Sequence, residues 1–304
     1  MKHKSLSYYY RRTKIYLRVL RLDHWFKNIS VLVGIIVAIA YSKVSIEAPL
    51  LLKSCLAIFL ACLMSSANYV INEIVDAQFD KKHPDKKFRP VASGNVSVRK
   101  LTFLNVFLII FTLIVSYLVF NEKFFLFMLL FFIIGGVSYN IPPIRTKDMP
   151  YIDVIAESVN NPLRLMLGWY VIDNVSSPPL IAILCYWFLG AILVTAKRLA
   201  EHQFLGKNSI QYRPTFKYYN KSLLTVMYFF YIVTTLVTFV LLSLEYKHQM
   251  FYFLPFILIL FVWFTLLTFQ QNSVVKEPER LFEKKAFVIY CFLAFFIFCG
   301  TLFF

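Results

Sequence analysis

The sequence predicts an all-α integral membrane protein of nine transmembrane helices, with its active site on the cytoplasmic side. Three observations carry this. The 304-residue chain is 59% hydrophobic with a mean hydropathy of +0.66. Its apolar residues come in blocks of about 20, the length that crosses a bilayer as a helix. Its basic residues gather on alternate connecting segments, and the remaining loops are very short.

The apolar segments fall at roughly 29–46, 54–75, 101–120, 124–141, 152–172, 179–196, 222–243, 250–270 and 286–304. With the N-terminus inside, the cytoplasmic pieces are 1–28, 76–100, 142–151, 197–221 and 271–285. These hold 27 of the 32 Lys and Arg residues. The opposite face has Lys43, Lys53, Lys123 and Lys247, and Arg164 lies inside a span. Positive charge is retained on the cytoplasmic side, so the split predicts N-inside, C-outside and an odd helix count. The net charge of +16 is thereby assigned to membrane-facing loops, which contact membrane lipids, and no nucleic-acid partner is expected. The cysteines at 55, 62, 185, 291 and 299 all sit in apolar segments without ligand spacing and read as packing residues.

Residues 1–28 form a basic N-terminal segment, and 29–304 the transmembrane domain. The stretch YYYRRTKIYLRVLR (Tyr8–Arg21) suits a positive-inside anchor, and His24–Trp25 an interfacial one. No short apolar core with a small-residue cleavage site precedes them, so a cleavable leader is not expected.

The end of the second segment carries the chemistry. Asn68, Asn72, Asp76 and Asp80 are spaced by four, which places them on one slowly drifting helical stripe, with Glu73 one residue off it. Acids at membrane depth are costly and by default functional. Hard oxygen donors beside phosphate suit Mg²⁺. The loop that follows, KKHPDKKFRP, supplies Lys81, Lys86, Lys87 and Arg89, groups that hold phosphate. Pro84 and Pro90 shape that loop. Acids and bases together read as one diphosphate site. His83 reads as a structural or hydrogen-bonding histidine more than as an acid–base group.

NEIVDAQFD (Asn72–Asp80) resembles the first aspartate-rich motif, NDxxDxxxD, of the UbiA-type intramembrane prenyltransferases. The resemblance implies a nine-helix bundle with Mg²⁺ and diphosphate held by Asn72, Asp76 and Asp80, and Glu73 as a fourth metal ligand in place of Asp. A narrower resemblance is to the decaprenyl-phosphate phosphoribosyltransferase branch. RLDHWFKN (Arg21–Asn28) is similar to RPxQWxKN, and DKKHPDKKFRPVASG (Asp80–Gly94) to DRxHPxKRxRPIASG. YNIPPIRTKDMPYID offers Tyr139, Lys147 and Asp153, with longer Tyr-to-Lys spacing and an inserted Pro-Pro. AKRLAE offers Lys197, Arg198 and Glu201.

That last segment departs from ordinary aromatic prenyltransferases, which carry a second pair of acids there. Lys197 and Arg198 cannot ligate Mg²⁺, but they can bind a second phosphate. This suits a phosphorylated small-molecule donor such as 5-phosphoribosyl diphosphate and a polyprenyl lipid acceptor. Lys27 joins the site face. Arg164 either contacts Glu157, seven residues earlier, or binds phosphate. Asn160 and Asn161 before Pro162 predict a kinked or unwound helix at a cavity. Prenyl transfer to an aromatic, quinone or lipid acceptor is the alternative, and a non-catalytic anionic-lipid transporter the second alternative. The lipid's chain length and the oligomeric state leave no mark in the sequence.

Overall fold

The computed structural model describes residues 13–120, 122–206 and 209–304. Among these residues there are helices and no strands. The segment Tyr8–Arg12 of the expected N-terminal anchor lies outside the described residues. Residues 13–19 are helical, followed by a 3₁₀ helix, Leu22–Asn28, which runs into α1 (Ile29–Ser42). The remaining helices are α2 (Ala48–Asp80), α3 (Val98–Phe120), α4 (Lys123–Asn140), α5 (Ile152–Ser158), α6 (Asn160–Ile172), α7 (Leu180–Leu205), α8 (Lys221–Glu245), α9 (Leu254–Thr268) and α10 (Lys285–Phe303).

Among the described residues eight helices are long and apolar enough to cross a membrane, so this is an integral membrane protein. The expected count of nine is not reached by length alone, because segment 152–172 is two short helices, α5 and α6. Pro162 is the cause: it has no N–H to offer the Ser158 carbonyl. The Asn161 amide donates to that carbonyl instead (3.2 Å), and Asn160 donates to Glu157 O (3.1 Å). The chain turns at Val159 without leaving carbonyls bare.

The 33 residues of α2 extend about 50 Å at 1.5 Å per residue, well beyond a hydrocarbon layer of about 30 Å. The surplus carries its acid-bearing end clear of the lipid. Pro49 starts this helix, and Asn220 caps α8 by accepting from Leu223 N at 2.8 Å.

Helices α1 and α6 meet backbone to backbone. A Cβ on Gly34 would lie 2.0 Å from Leu165 O, and one on Gly168 would lie 2.0 Å from Val31 O. Small residues permit this approach, which packs Val31, Ile35, Leu167 and Trp169 into a core with α2 and α4. A second core joins α7, α8 and α9 through Ile192, Tyr228, Phe261 and Phe264. Residues 13–28 are not a separate appendage: Val19 is buried with Val70, Val91 and Leu101. His24 is also buried rather than interfacial, while Trp25 donates to Ser66 Oγ at 3.0 Å.

Replacing Gly168 by Val forces α1 and α6 apart. Overpacking of this kind costs about 1–3 kcal/mol, so the G168V protein in detergent should unfold several degrees below wild type in a thermal scan.

Candidate active site

A cavity of about 650 Å³ opens where the ends of α2, α4, α5 and α7 meet the loops between them. Asn68, Asn72, Asp76 and Asp80 all line it, as their four-residue spacing required. So do Lys27, Lys86, Arg89, Tyr139, Lys147, Arg164, Lys197 and Glu201.

Each acid of the stripe is met by a base. Asp80 Oδ2 accepts from Arg89 at 2.6 Å. Asp76 Oδ1 accepts from Arg145 at 3.2 Å and also from Lys147. Burial lowers the pKa of Lys147, and the facing Asp76 opposes that shift. Asn72 donates to Asn140 Oδ1 at 2.6 Å, and Lys147 donates to the same oxygen at 3.1 Å. Arg145 is further held by Asp148 at 2.6 Å.

This bonding leaves three oxygens, Asn72 Oδ1, Asp76 Oδ2 and Asp80 Oδ1, with no hydrogen-bond donor among the described residues. Three hard oxygens on one helix face beside a cavity suit Mg²⁺, but Asn72 and Asp80 lie about 12 Å apart along the helix, so they fit two cations or one cation joined by phosphate oxygens. Glu73 does not belong with them. It is 1% exposed and turned away from the cavity, where its carboxylate accepts from Val91 N at 3.1 Å. One residue on from Asn72 is a rotation of about 100°, and that rotation removes it from the metal set.

The expected basic wall also needs correction. Lys197 lines the cavity, 3.9 Å from Glu157 Oε1, but Arg198 does not. Arg198 is fully buried, bonded to Asp153 at 3.2 Å and to Glu157. Asp153 is equally buried and accepts from Tyr219 OH at 2.5 Å. These two residues brace the site from behind. The Arg198 guanidinium and Glu157 hold the Tyr139 hydroxyl, at 3.0 and 2.7 Å, toward the cavity. Lys81 and Lys87 are exposed outside it.

Arg164 does not pair with Glu157. It donates to Asn28 Oδ1 at 2.8 Å and to Asn160 O at 3.3 Å, and lies over the Phe132 ring. Glu157 and Arg164 do line the same cavity, but Asn28 and the Asn160 carbonyl take the guanidinium instead. Arg21 and Arg213, which lie in segments that carry the branch resemblance, also line the cavity, as do Arg145 and Asn140, which sequence reasoning missed. The available signal for Arg145 was position, since it sits in the same loop as Lys147.

His83 is structural. Its Nδ1 accepts from Asp85 N (3.1 Å) and Lys86 N (3.3 Å), shaping the loop that presents Lys86. Lys86 in turn reaches Glu201 of α7 at 2.9 Å.

The all-helical bundle with its long apolar spans defines a membrane protein, and its main cavity is lined by both oxygens and bases. The profile of the UbiA prenyltransferase family matches residues 29–302, and the chain belongs to that family of membrane transferases. It is 25% identical over 210 residues to the decaprenyl-phosphate phosphoribosyltransferase of Mycolicibacterium smegmatis, a match covering 68% of this chain and 63% of that one. It is 27% identical over 188 residues to the uncharacterized protein y4nM of Sinorhizobium fredii, covering 62% of this chain and 34% of that protein. The match thus spans less than two thirds of either relative. The fold resembles a UbiA homologue from Archaeoglobus fulgidus bound to GPP and Mg²⁺, with TM-score 0.68 and 18% identity over 93% of this chain and 99% of that one.

Two outcomes test the geometry. Arg198→Leu leaves the Asp153 and Glu157 carboxylates without their shared base. Breaking a buried pair costs about 3–5 kcal/mol, so folded protein recovered by size exclusion should fall sharply. Lys81→Ala and Lys87→Ala should stay within about 0.5 kcal/mol of wild type. The second test is pH. Burial, reinforced by Lys86 and Arg89 and opposed by Glu201 and Asp85, pushes His83 down from 6.5 to about 4. Between those values the unfolded chain binds a proton that the folded chain refuses. Stability present above pH 6.5 therefore falls as pH drops through this window and levels off below it. His83→Asn, which keeps an acceptor but does not titrate, should flatten that slope by up to about 3 kcal/mol, at 1.36 kcal/mol per unit. Thermal scans at stepped pH measure it.

Proposed function

We propose that this protein is a Mg²⁺-dependent membrane transferase that moves the 5-phosphoribosyl group of 5-phosphoribosyl diphosphate onto a polyprenyl phosphate, releasing pyrophosphate. The supporting observation is a single cavity holding the oxygens of Asn72, Asp76 and Asp80 together with two groups of bases. One group, Arg89, Arg145 and Lys147, already touches the acids. The other, Lys27, Lys197 and Arg164, comes from other helices.

Asn72, Asp76 and Asp80 would hold the metal. When bound, the ion acts as a Lewis acid that stabilises negative charge on a leaving diphosphate. Arg89, Arg145, Lys147 and Lys86 bind diphosphate oxygens. Each of these bases lines the cavity beside an acid. Lys27, Lys197 and Arg164 bind the second phosphate, either the sugar 5-phosphate or the lipid phosphate. Tyr139, fixed by Glu157 and Arg198, orients the sugar between the two. The attacking oxygen of a polyprenyl phosphate is already anionic, so no general base is needed. This agrees with His83 being committed to backbone donors. Ile29, Leu193, Val194, Phe264 and Leu281 give the cavity an apolar side for prenyl carbons. The site would face the cytoplasm, with the N-terminus inside and the C-terminus outside, as the basic loops direct.

That same apolar side also supports prenyl transfer from a prenyl diphosphate as a second reading, and the Archaeoglobus homologue's GPP and Mg²⁺ are in keeping with it. The two separate by donor.

Purified protein should release pyrophosphate from 5-phosphoribosyl diphosphate only with both a polyprenyl phosphate and Mg²⁺ present. Asp76→Ala and Asp80→Ala should each lower that rate by at least about 100-fold, the scale of losing a main electrostatic contact to developing charge. Product formed from geranylgeranyl diphosphate and a quinone precursor, with none from the sugar donor, would replace this reading with the second.

A further inference from the structure

Apart from the acid stripe, one cluster of metal-ligating side chains stands out among the described residues. Asp23, His24 and Glu279 each offer a ligand atom, and these atoms lie within 4.8 Å of one another. His24 Nδ1 and Glu279 Oε2 are 3.7 Å apart. Both atoms are buried, and neither has a hydrogen-bond partner. His24 is 7% exposed, with its ring packed edge-on against Tyr69. A buried imidazole nitrogen left unpaired is costly. Here it faces an equally unpaired carboxylate oxygen, at a separation that a shared ion spans: Zn–N and Zn–O bonds are about 2.0–2.2 Å each.

We propose that Asp23, His24 and Glu279 form a second divalent-cation site, separate from Asn72, Asp76 and Asp80, and that it takes a borderline transition ion such as Zn²⁺. The surroundings set the selectivity. Asp23, Glu73 and Glu279 share a surface pocket with Lys14, Arg18, Arg21 and Arg89. These bases offset the acids, so an ion held by charge alone, Ca²⁺ or Mg²⁺, gains little. An ion that bonds strongly to imidazole does not depend on net charge. Three protein donors leave one position of a tetrahedral ion to water.

The placement gives the site a task. His24 belongs to the 3₁₀ helix Leu22–Asn28, and Glu279 to the 3₁₀ helix Pro278–Glu283 between α9 and α10. Both residues line the mouth of the main cavity, as do Lys27 on the first element and Glu277 near the second. An ion joining them pins the loop before α10 to the entrance of α1 and fixes that rim. In the RPxQWxKN element that this stretch resembles, the position of His24 is Gln, which is a poor zinc ligand, so the site is a feature of this chain.

The test uses full-length protein in detergent, stripped with chelator, dialysed against Zn²⁺ or Co²⁺ and measured for bound metal. The background is D76N/D80N, which silences the other candidate site and needs no substrate or activity. One equivalent should bind there, Co²⁺ should give the intense visible bands of a low-coordinate site, and Zn²⁺ should raise the unfolding temperature. Glu279→Gln and His24→Gln should each weaken binding by at least about tenfold, since loss of a mere supporting partner of a ligand already costs ~10–100-fold. Asp23→Asn, at an exposed position, guards against a folding artefact and should weaken binding without lowering the yield of folded protein. Zinc uptake unchanged in all three variants, or no uptake in the background protein, overturns the proposal and leaves His24–Glu279 as a polar contact only. Neither result depends on which donor or acceptor the transferase uses.

Discussion

The arrangement depends on the need to neutralise charge where a membrane helix ends. Asp76 and Asp80 sit on the last turns of α2 against Arg145, Lys147 and Arg89, and none of these groups is more than about a quarter exposed. Unpaired charges in such a place cost several kcal/mol each. Without a ligand, the acids and bases therefore satisfy one another. A lone cation must compete with Lys147 and Arg145 for Asp76, and a lone diphosphate must draw those bases from their acids. On the proposed function, a cation and a diphosphate arriving together would resolve both problems, because phosphate would take the bases while the cation took the freed acids. The same ion pairs would then favour joint binding.

A second layer makes the first one rigid. Arg198 and Asp153 lie wholly in the interior, tied to Tyr219 and Glu157. Glu201, one turn further along α7, reaches Lys86 at 2.9 Å and lies 3.8 Å from Arg213. The end of α7 thus gathers the loop after α2, the start of α5 and the loop before α8. Buried salt bridges are poor sources of net stability, but removing one partner is severe. Such pairs serve here to fix three connecting segments in one register around the cavity.

How much of this was legible follows from geometry. The stripe Asn68–Asn72–Asp76–Asp80 was readable because a spacing of four keeps one helical face, and all four line the cavity. The break before α6 was readable from Pro162, although it left eight long spans and a broken pair in place of nine equal helices. The errors have more than one cause. Glu73 beside Asn72 and Arg198 beside Lys197 were grouped by sequence adjacency, yet neighbouring helical residues point about 100° apart. Arg164 and Glu157 share the cavity as their seven-residue spacing implies, but Asn28 and Asn160, closer to the guanidinium, take it instead. Arg145 was passed over because loop bases carry no periodicity, and only the folded chain shows which ones turn inward.

The correction at Arg198 bears on what kind of phosphate chemistry the cavity supports. Two adjacent bases on α7 would have made a dense cationic wall. The structure leaves Lys197 there alone, joined by Lys27 and by Arg164, whose guanidinium is shared with Asn28. These three come from separate helices and converge on one space, which is a geometry for gripping a single phosphate from several sides. The acids and their bases form a broader patch, with room for a cation and two linked phosphates. The cavity is thus asymmetric, with a wide anionic-ligand patch on α2 and its loops and a narrow one between α1, α6 and α7. On the proposed function, a donor with a diphosphate at one end and a monophosphate at the other matches that asymmetry, whereas a prenyl diphosphate would leave Lys197 with Glu157 alone.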